Sequence, residues 1–417
     1  MGMIINIDEA LAQNNQYNLL KEPLNKMLMD MQEAWERENP IDLLFTRGTL
    51  DGFQETYAST VGFDHAFKET SDYAVAPIFN TADGFSATYT SRTFQGGFII
   101  TEQVLEDKKI GVAMDTSSQF MKRWHGDIVE FCMVALSSGF GVEQTYGDEE
   151  YGESQIQLFS ADTTDGKITT PTKVPLFSNA HTIVARKKGE TMATEPAVTA
   201  VGVKTKKQSS LFYADVKLGG SDSGQVAKLA DTIYQVISIM ENYRDDNGKR
   251  AGVIGPKRIV CGNDPRLKGY INAALSAEQF GPNVVVNQAK DIAVMASTPY
   301  LLDIPQCEVV DGCGRGFFII DPAYNAANHG LELTERIPLT MNVERKKNPY
   351  GISYDGRQRF NVNVASWRGI AYVYIGTPAG AAGAWDNVGN FTKITPVDTV
   401  VKDVNITNNP LNTKQAQ

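Results

Sequence analysis

Four histidines, His65, His125, His181 and His329, are the side chains in this chain whose ordinary titration lies nearest neutral pH, and they lie far apart in sequence. His125 follows Trp124 inside an amphipathic stretch, which is the setting of a packed ring and not of a catalytic base. His181 ends Leu176-Phe177-Ser178-Asn179-Ala180-His181, with a serine nearby. A nucleophile elbow needs Gly-x-Ser-x-Gly, however, so no hydrolase triad is expected. Cys132, Cys261, Cys307 and Cys313 form no Cys-x-x-Cys pair. Cys307 and Cys313 are too widely spaced for a zinc knuckle, and all four read as buried thiols in a reducing cytoplasm. Gly312-Cys313-Gly314-Arg315-Gly316 lies between strands and reads as a turn, since a dinucleotide loop would open a helix. Gly219 to Gly224 does precede a helix, but Gln225-Val226 follows where a phosphate loop needs Lys-Ser/Thr. Asp245-Asp246-Asn247-Gly248-Lys249 lacks the later ligands of a calcium loop and reads as a turn. No catalytic, cofactor-binding or metal-ligating residue is therefore expected.

The elements around these residues belong to a globular chain. Its 417 residues, 42% apolar and 21% charged, suggest two or three folding units. The net charge of -10 argues against tight binding to nucleic acid through phosphates. Arg186-Lys187-Lys188, Arg345-Lys346-Lys347 and the acidic Asp148-Glu149-Glu150 all read as solvated loops. No apolar run of about 18 residues and no signal segment occurs, which places the protein in the cytoplasm, or in something assembled there, with no membrane partner. The sequons at Asn390 and Asn405 would then never meet the glycosylation machinery. No solenoid-type repeat is visible.

Along the chain, Asp8 to about Arg37 has helical spacing, with Pro23 expected to split or kink the helix. Tyr73 to Phe79 and Phe85 to Ser91, around the turn Asn80-Thr81-Ala82-Asp83-Gly84, read as a long hairpin that needs a surface to lie on. Thr101 to about Gly139 reads as one helix of roughly 58 Å, at about 1.5 Å per residue. Gly141 to Gly220 is irregular, with strands at Gln155 to Phe159 and Leu211 to Val216. An α/β region follows: a helix opened by Asp222 and Gln225, a strand Lys257 to Cys261, and a helix capped by Asp264-Pro265. Further strands are expected at Asn283 to Val286 and Tyr300 to Leu302. From Phe317 to Tyr374 apolar residues mostly alternate, as in strands with one covered face. The Gly/Ala/Asn-rich tail from Gly376 reads as a surface arm.

That order of elements, about Phe53 to Ile375, resembles the major capsid (coat) proteins of tailed bacteriophages, the fold named after phage Hong Kong 97. Three strings are similar to the branch that includes Mu-like head subunits. They are Leu176-Phe177-Ser178-Asn179-Ala180-His181, the passage from Tyr243-Arg244-Asp245 to Gly255-Pro256-Lys257-Arg258-Ile259-Val260-Cys261, and Arg359-Phe360-Asn361-Val362 through Trp367-Arg368-Gly369. The resemblance implies an α+β fold. Its parts would be an N-terminal arm with a helix (1–52), an extended E-loop hairpin (53–99), a P domain with a long spine helix (100–220), an α/β A domain (221–330), returning P-domain strands (331–377) and a C-terminal arm (378–417).

It also implies a function: a virion protein that self-assembles, in the host cytoplasm, into an icosahedral head of pentamers and hexamers around the phage genome. The implied partners are itself, a scaffolding protein, a portal, a cementing protein and double-stranded DNA held without sequence-specific contacts. Phe79, Phe85, Tyr89 and Phe94 become candidate hairpin contacts across the subunit boundary. Some relatives join a hairpin lysine to a neighbour's asparagine, but here no Lys lies between Lys68 and Lys108, so no such cross-link is expected. An encapsulin-like compartment shell, and a cytoplasmic enzyme using the α/β region, are the competing readings.

Overall fold

The computed structural model describes residues 3–7, 15–61, 82–107, 109–148, 152–160, 174–182, 207–218, 223–244, 250–280, 285–347, 350–378 and 390–396. Two larger sheets organise them. In the first, β1 (Ile4–Ile7) and β2 (Thr46–Thr49) run parallel to one edge of β10 (Leu331–Lys347). β10 pairs antiparallel with β11 (Tyr350–Val364), and β11 with β5 (Arg92–Thr101). Alternation drives these long strands: Leu331, Leu333, Leu339, Met341 and Val343 on β10 are buried, as are Tyr354, Phe360, Val362 and Val364 on β11. The second sheet has the order β8 (Ala293–Thr298), β7 (Lys257–Gly262), β9 (Gly316–Ile320), β12 (Ile370–Ile375), β6 (Leu211–Ala214) and β13 (Thr392–Ile394). One continuous apolar core joins both sheets.

Helix α1 (Asn15–Arg37) precedes the short α2 (Glu102–Glu106) and the 29-residue α3 (Ile110–Ser138). Ala113, Ser117, Met121, Trp124, Ile128, Phe131 and Ala135 recur every three or four residues on α3 and are buried. This stripe lies across the first sheet. The Trp124 indole N–H donates to Gln358 Oε1 at 2.9 Å, and Phe131 meets Phe94 and Phe360 edge-on. Helices α4 (Ser223–Glu241), α5 (Pro265–Ser276) and α6 (Pro322–Ala327) follow. Asp264 caps α5 as expected, accepting from Leu267 N at 2.7 Å, with Pro265 in the first turn.

Several expectations are corrected. α1 continues across Pro23 as a single helix. The long helix begins at Ile110, not Thr101, because Thr101 still pairs with Gly351 as the end of β5. Its 29 residues span about 44 Å at 1.5 Å per residue. In the hairpin, β4 (Ala82–Thr90) pairs with β3 (Gln54–Val61), so Ala82 to Gly84 is strand and not turn. Tyr73 to Phe79 lies outside the described residues. The observed register sets Tyr57 diagonally across from Tyr89, with ring centroids 4.7 Å apart, a contact that stabilises this pairing. Tyr300 to Leu302 is 3₁₀ helix. Arg345-Lys346-Lys347 is the end of β10 and not a loop: Arg345 pairs with Glu102, and Lys346 with Asp355 and Glu344. Within residues 331–377, Leu331–Val364 belongs to the first sheet and Ile370–Ile375 to the second. The tail is not wholly a surface arm: Phe391 and Ile394 are buried where β13 closes the edge of the second sheet.

α1 and α3 meet at His125. Its ring stacks on Trp35 at 4.5 Å, and its Nε2–H donates to Gln32 Oε1 at 2.9 Å. Burial pushes the imidazole pKa down to about 4 from its ordinary 6.5. The unfolded ring therefore takes a proton at a higher pH than the folded one. Stability present above pH 6.5 is lost as the pH falls toward 4, by about 3 kcal/mol at most. His125→Gln should flatten the melting-temperature profile between pH 6.5 and 4, and an unchanged acid slope would contradict this.

Candidate assembly surface

The hairpin β3–β4 is a separate two-stranded sheet. Its described contacts with the rest of the chain gather at its root. The Tyr89 hydroxyl donates to the His329 carbonyl at 3.1 Å, and Asn361 Nδ2 donates to the Thr90 carbonyl at 3.0 Å. The Tyr57 ring lies 4.2 Å from that of His329. His329 takes a left-handed backbone (φ 48°), and its carbonyl also receives the Ala365 and Ser366 N–H groups. The hairpin root is thus seated on the turn between α6 and β10. Beside it, burial holds the Glu332 carboxyl above its ordinary range, opposed by His329 3.4 Å away.

Of the four candidate contact aromatics, Tyr89 is 1% exposed and packs at this root within its own chain. Phe94 also packs within its own chain, stacked on Phe360 at 4.3 Å and edge-on to Phe131. Phe79 and the side chain of Phe85 lie outside the described residues. Tyr57 and His329 were not legible as root residues. They are 272 positions apart, and no local pattern links them.

The groups weighed for chemistry have structural settings. His181 is fully buried, stacked on Trp367 at 3.9 Å, with Nε2 3.0 Å from Ser210 Oγ. Ser210 itself is closed to solvent and donates to the Leu176 carbonyl, so this serine and histidine meet no substrate path. His65 and Asp245 to Lys249 lie outside the described residues. The turn is not Gly312 to Gly316, since Cys313–Gly314 is strand and Gly316 opens β9; it is Asp311-Gly312, both at positive φ between Val310 and Cys313, the backbone an Asp-Gly hairpin turn adopts. Gln225 accepts from Lys217 N; Asp222, its expected capping partner, lies outside the described residues. All four cysteines are buried. Burial raises every thiol, Cys261 to about 12 and Cys313 to about 11, so they are protonated at neutral pH. Among the described residues no three His, Cys, Asp or Glu side chains converge to hold a metal ion, and no helix is long and apolar enough to cross a membrane.

No family model matches the chain, and no curated protein matches it. Solved structures do. The chain is similar to a virus-like particle from Pyrococcus furiosus at 7% identity and a TM-score of 0.41, covering 84% of this chain and 99% of that one. It is similar to a chain of Mycobacterium phage Patience at 10% identity and a TM-score of 0.41, covering 94% and 98% respectively. It is also similar to the bacteriophage PhiM1 mature capsid at 12% identity and a TM-score of 0.40, covering 79% and 84%.

Proposed function

We propose that this chain is a major capsid protein, the subunit that self-assembles into the icosahedral head shell of a tailed bacteriophage. The observation that carries the reading is the hairpin β3–β4, whose described contacts gather at its root. A two-stranded hairpin is marginal in water, so the rest of its length needs a surface that a neighbouring subunit would supply. Supporting this are the order of elements, with an extended hairpin before a long helix and an α/β sheet after it, and the closing Trp367-Arg368-Gly369 string. In this reading Phe79 and Phe85 are the hairpin's contacts to the neighbour, while Tyr89 and Phe94 anchor its base. The finer assignments belong here too: pentamers and hexamers, the Mu-like branch, a scaffolding protein, a portal, a cementing protein and DNA held by enclosure.

The test is negative-stain electron microscopy of the purified chain together with sedimentation velocity, without and with co-expressed scaffold. Closed shells, tubes, or rings of five or six subunits are the expected result. A monomer or dimer that persists at high concentration in both conditions would overturn the reading.

A further inference from the structure

Arg357 and Arg359 lie on the face of the first sheet that points away from α3, and Arg336, at a β-bulge of β10, is near enough for its charge to act on Arg359. Even-numbered residues of β11 face α3, since Gln358 accepts from Trp124 and Phe360 meets Phe131. Strand alternation therefore turns Arg357 and Arg359 to the opposite side. The Arg359 guanidinium lies 5.6 Å from the Phe53 ring and donates to Ser91 Oγ at 3.2 Å, while its Nε has no partner. Desolvation lowers the Arg359 pKa, and the charges of Arg336 and Arg357 lower it further. Among the described residues no carboxylate pairs with any of the three. Asp355, two positions from Arg357 on the same face of β11, is engaged by Lys346 and Ser353, so the three arginines share no paired carboxylate in a chain of net charge -10.

The complementary surface lies on the other side of the same sheet. Every charged residue from 126 to 157 is Asp or Glu. Glu130 on α3 and Glu143 and Glu153 beside it are exposed. Glu153 stands on a hairpin (Gln144–Asp148 with Gly152–Ile156) that is held to α3 by Tyr146, whose ring packs edge-on against Phe131 and whose hydroxyl donates to the Asp127 carbonyl. Because the two surfaces occupy opposite faces of one sheet, a single chain cannot bring them together. Two copies can.

We propose that the arginine face of the sheet docks the acidic hairpin and α3 flank of a second copy of this chain, head to tail. The proposal rests on the self-assembly reading and names the surfaces through which one contact forms. A contact of this kind uses different patches on the two partners, so it repeats from copy to copy, giving rings where the rotation between copies closes and open filaments where it does not. Its charges make it weaken with salt, as the screening length shortens to about 8 Å at physiological ionic strength.

The experiment compares the full chain with Arg357→Glu, Glu153→Lys and the double variant by sedimentation velocity and negative stain, at low and high NaCl. Both sites are exposed, and circular dichroism confirms folding. Arg357→Gln serves if the Glu variant is unstable. Each single reversal should raise the concentration needed for assembly about tenfold, and the double variant should recover most of that loss. If the wild type assembles and Arg357→Glu assembles identically, the docking is wrong and the capsid reading stands. If the wild type never associates, without scaffold or with it co-expressed, both fall. Binding of a short DNA duplex that Arg357→Glu abolishes, with assembly unchanged, would assign the arginines to phosphates and overturn the proposal.

Discussion

Asp321→Ala should be among the most damaging single substitutions in the chain, costing about 3–5 kcal/mol of folding stability. Asp321 Oδ2 lies 3.0 Å from Lys257 Nζ, and the two side chains are 0% and 2% exposed. The same carboxylate accepts from Gly255 N, and its other oxygen caps α6 through Tyr324 N, each at 2.9 Å. The lysine also donates to the Val253 and Gly255 carbonyls. Removing the acid strands a buried ammonium and uncaps a helix in one step, a large loss against a typical total of about 5–15 kcal/mol. The pair itself adds little net stability, because taking two charges out of water costs about what their attraction returns. Lys257→Met with Asp321→Leu should therefore be milder than Asp321→Ala alone. Denaturant unfolding of the purified chain, followed by fluorescence, checks the order. A single variant milder than the double one would sink the account.

Trp367→Ala should lose about 3–5 kcal/mol, the usual cost of emptying a large aromatic site. Trp367 is 2% exposed. It stacks on His181 at 3.9 Å and meets Tyr243 at 4.9 Å, while the Arg368 guanidinium lies 5.2 Å from its ring. It sits in the short crossover from β11 of the first sheet to β12 of the second, so its removal loosens the joint between them. Trp367→Phe keeps part of the stacking and should lose less. Melting temperature together with the near-ultraviolet dichroism of the site separates the two variants. Equal losses would mean that ring size, and not the stack, is what the joint requires.

The Trp367-Arg368-Gly369 string was legible as a closing motif, and its geometry shows why those residue types stand there. Tryptophan fills the joint, Arg368 Nε donates to the Arg244 carbonyl at 2.9 Å, and a Cβ at position 369 would run into the Asn325 side chain. What could not be read locally was that the motif divides two sheets. Residues on both sides of it alternate in the same way, and alternation marks a covered face without saying which sheet covers it. The hairpin shows the same limit. Tyr73 to Phe79 and Gln54 to Val61 are both acceptable partners for Phe85 to Ser91 by period alone. The Tyr57–Tyr89 contact and the seat on His329 belong to the observed pairing.

Local chemistry in the sequence by itself determined the helices with continuous apolar stripes, the Asp264-Pro265 cap and the long alternating strands. Each of these depends on neighbours within a few residues. The tertiary structure alone decided the partners of the strands, the pairing of Lys257 with Asp321, and the stacking of His125 and His181 on tryptophans. It also decided the separation of arginine and carboxylate surfaces onto opposite faces of one sheet. Those outcomes depend on contacts between residues tens to hundreds of positions apart, where packing and desolvation choose among pairings that local propensity leaves nearly equal.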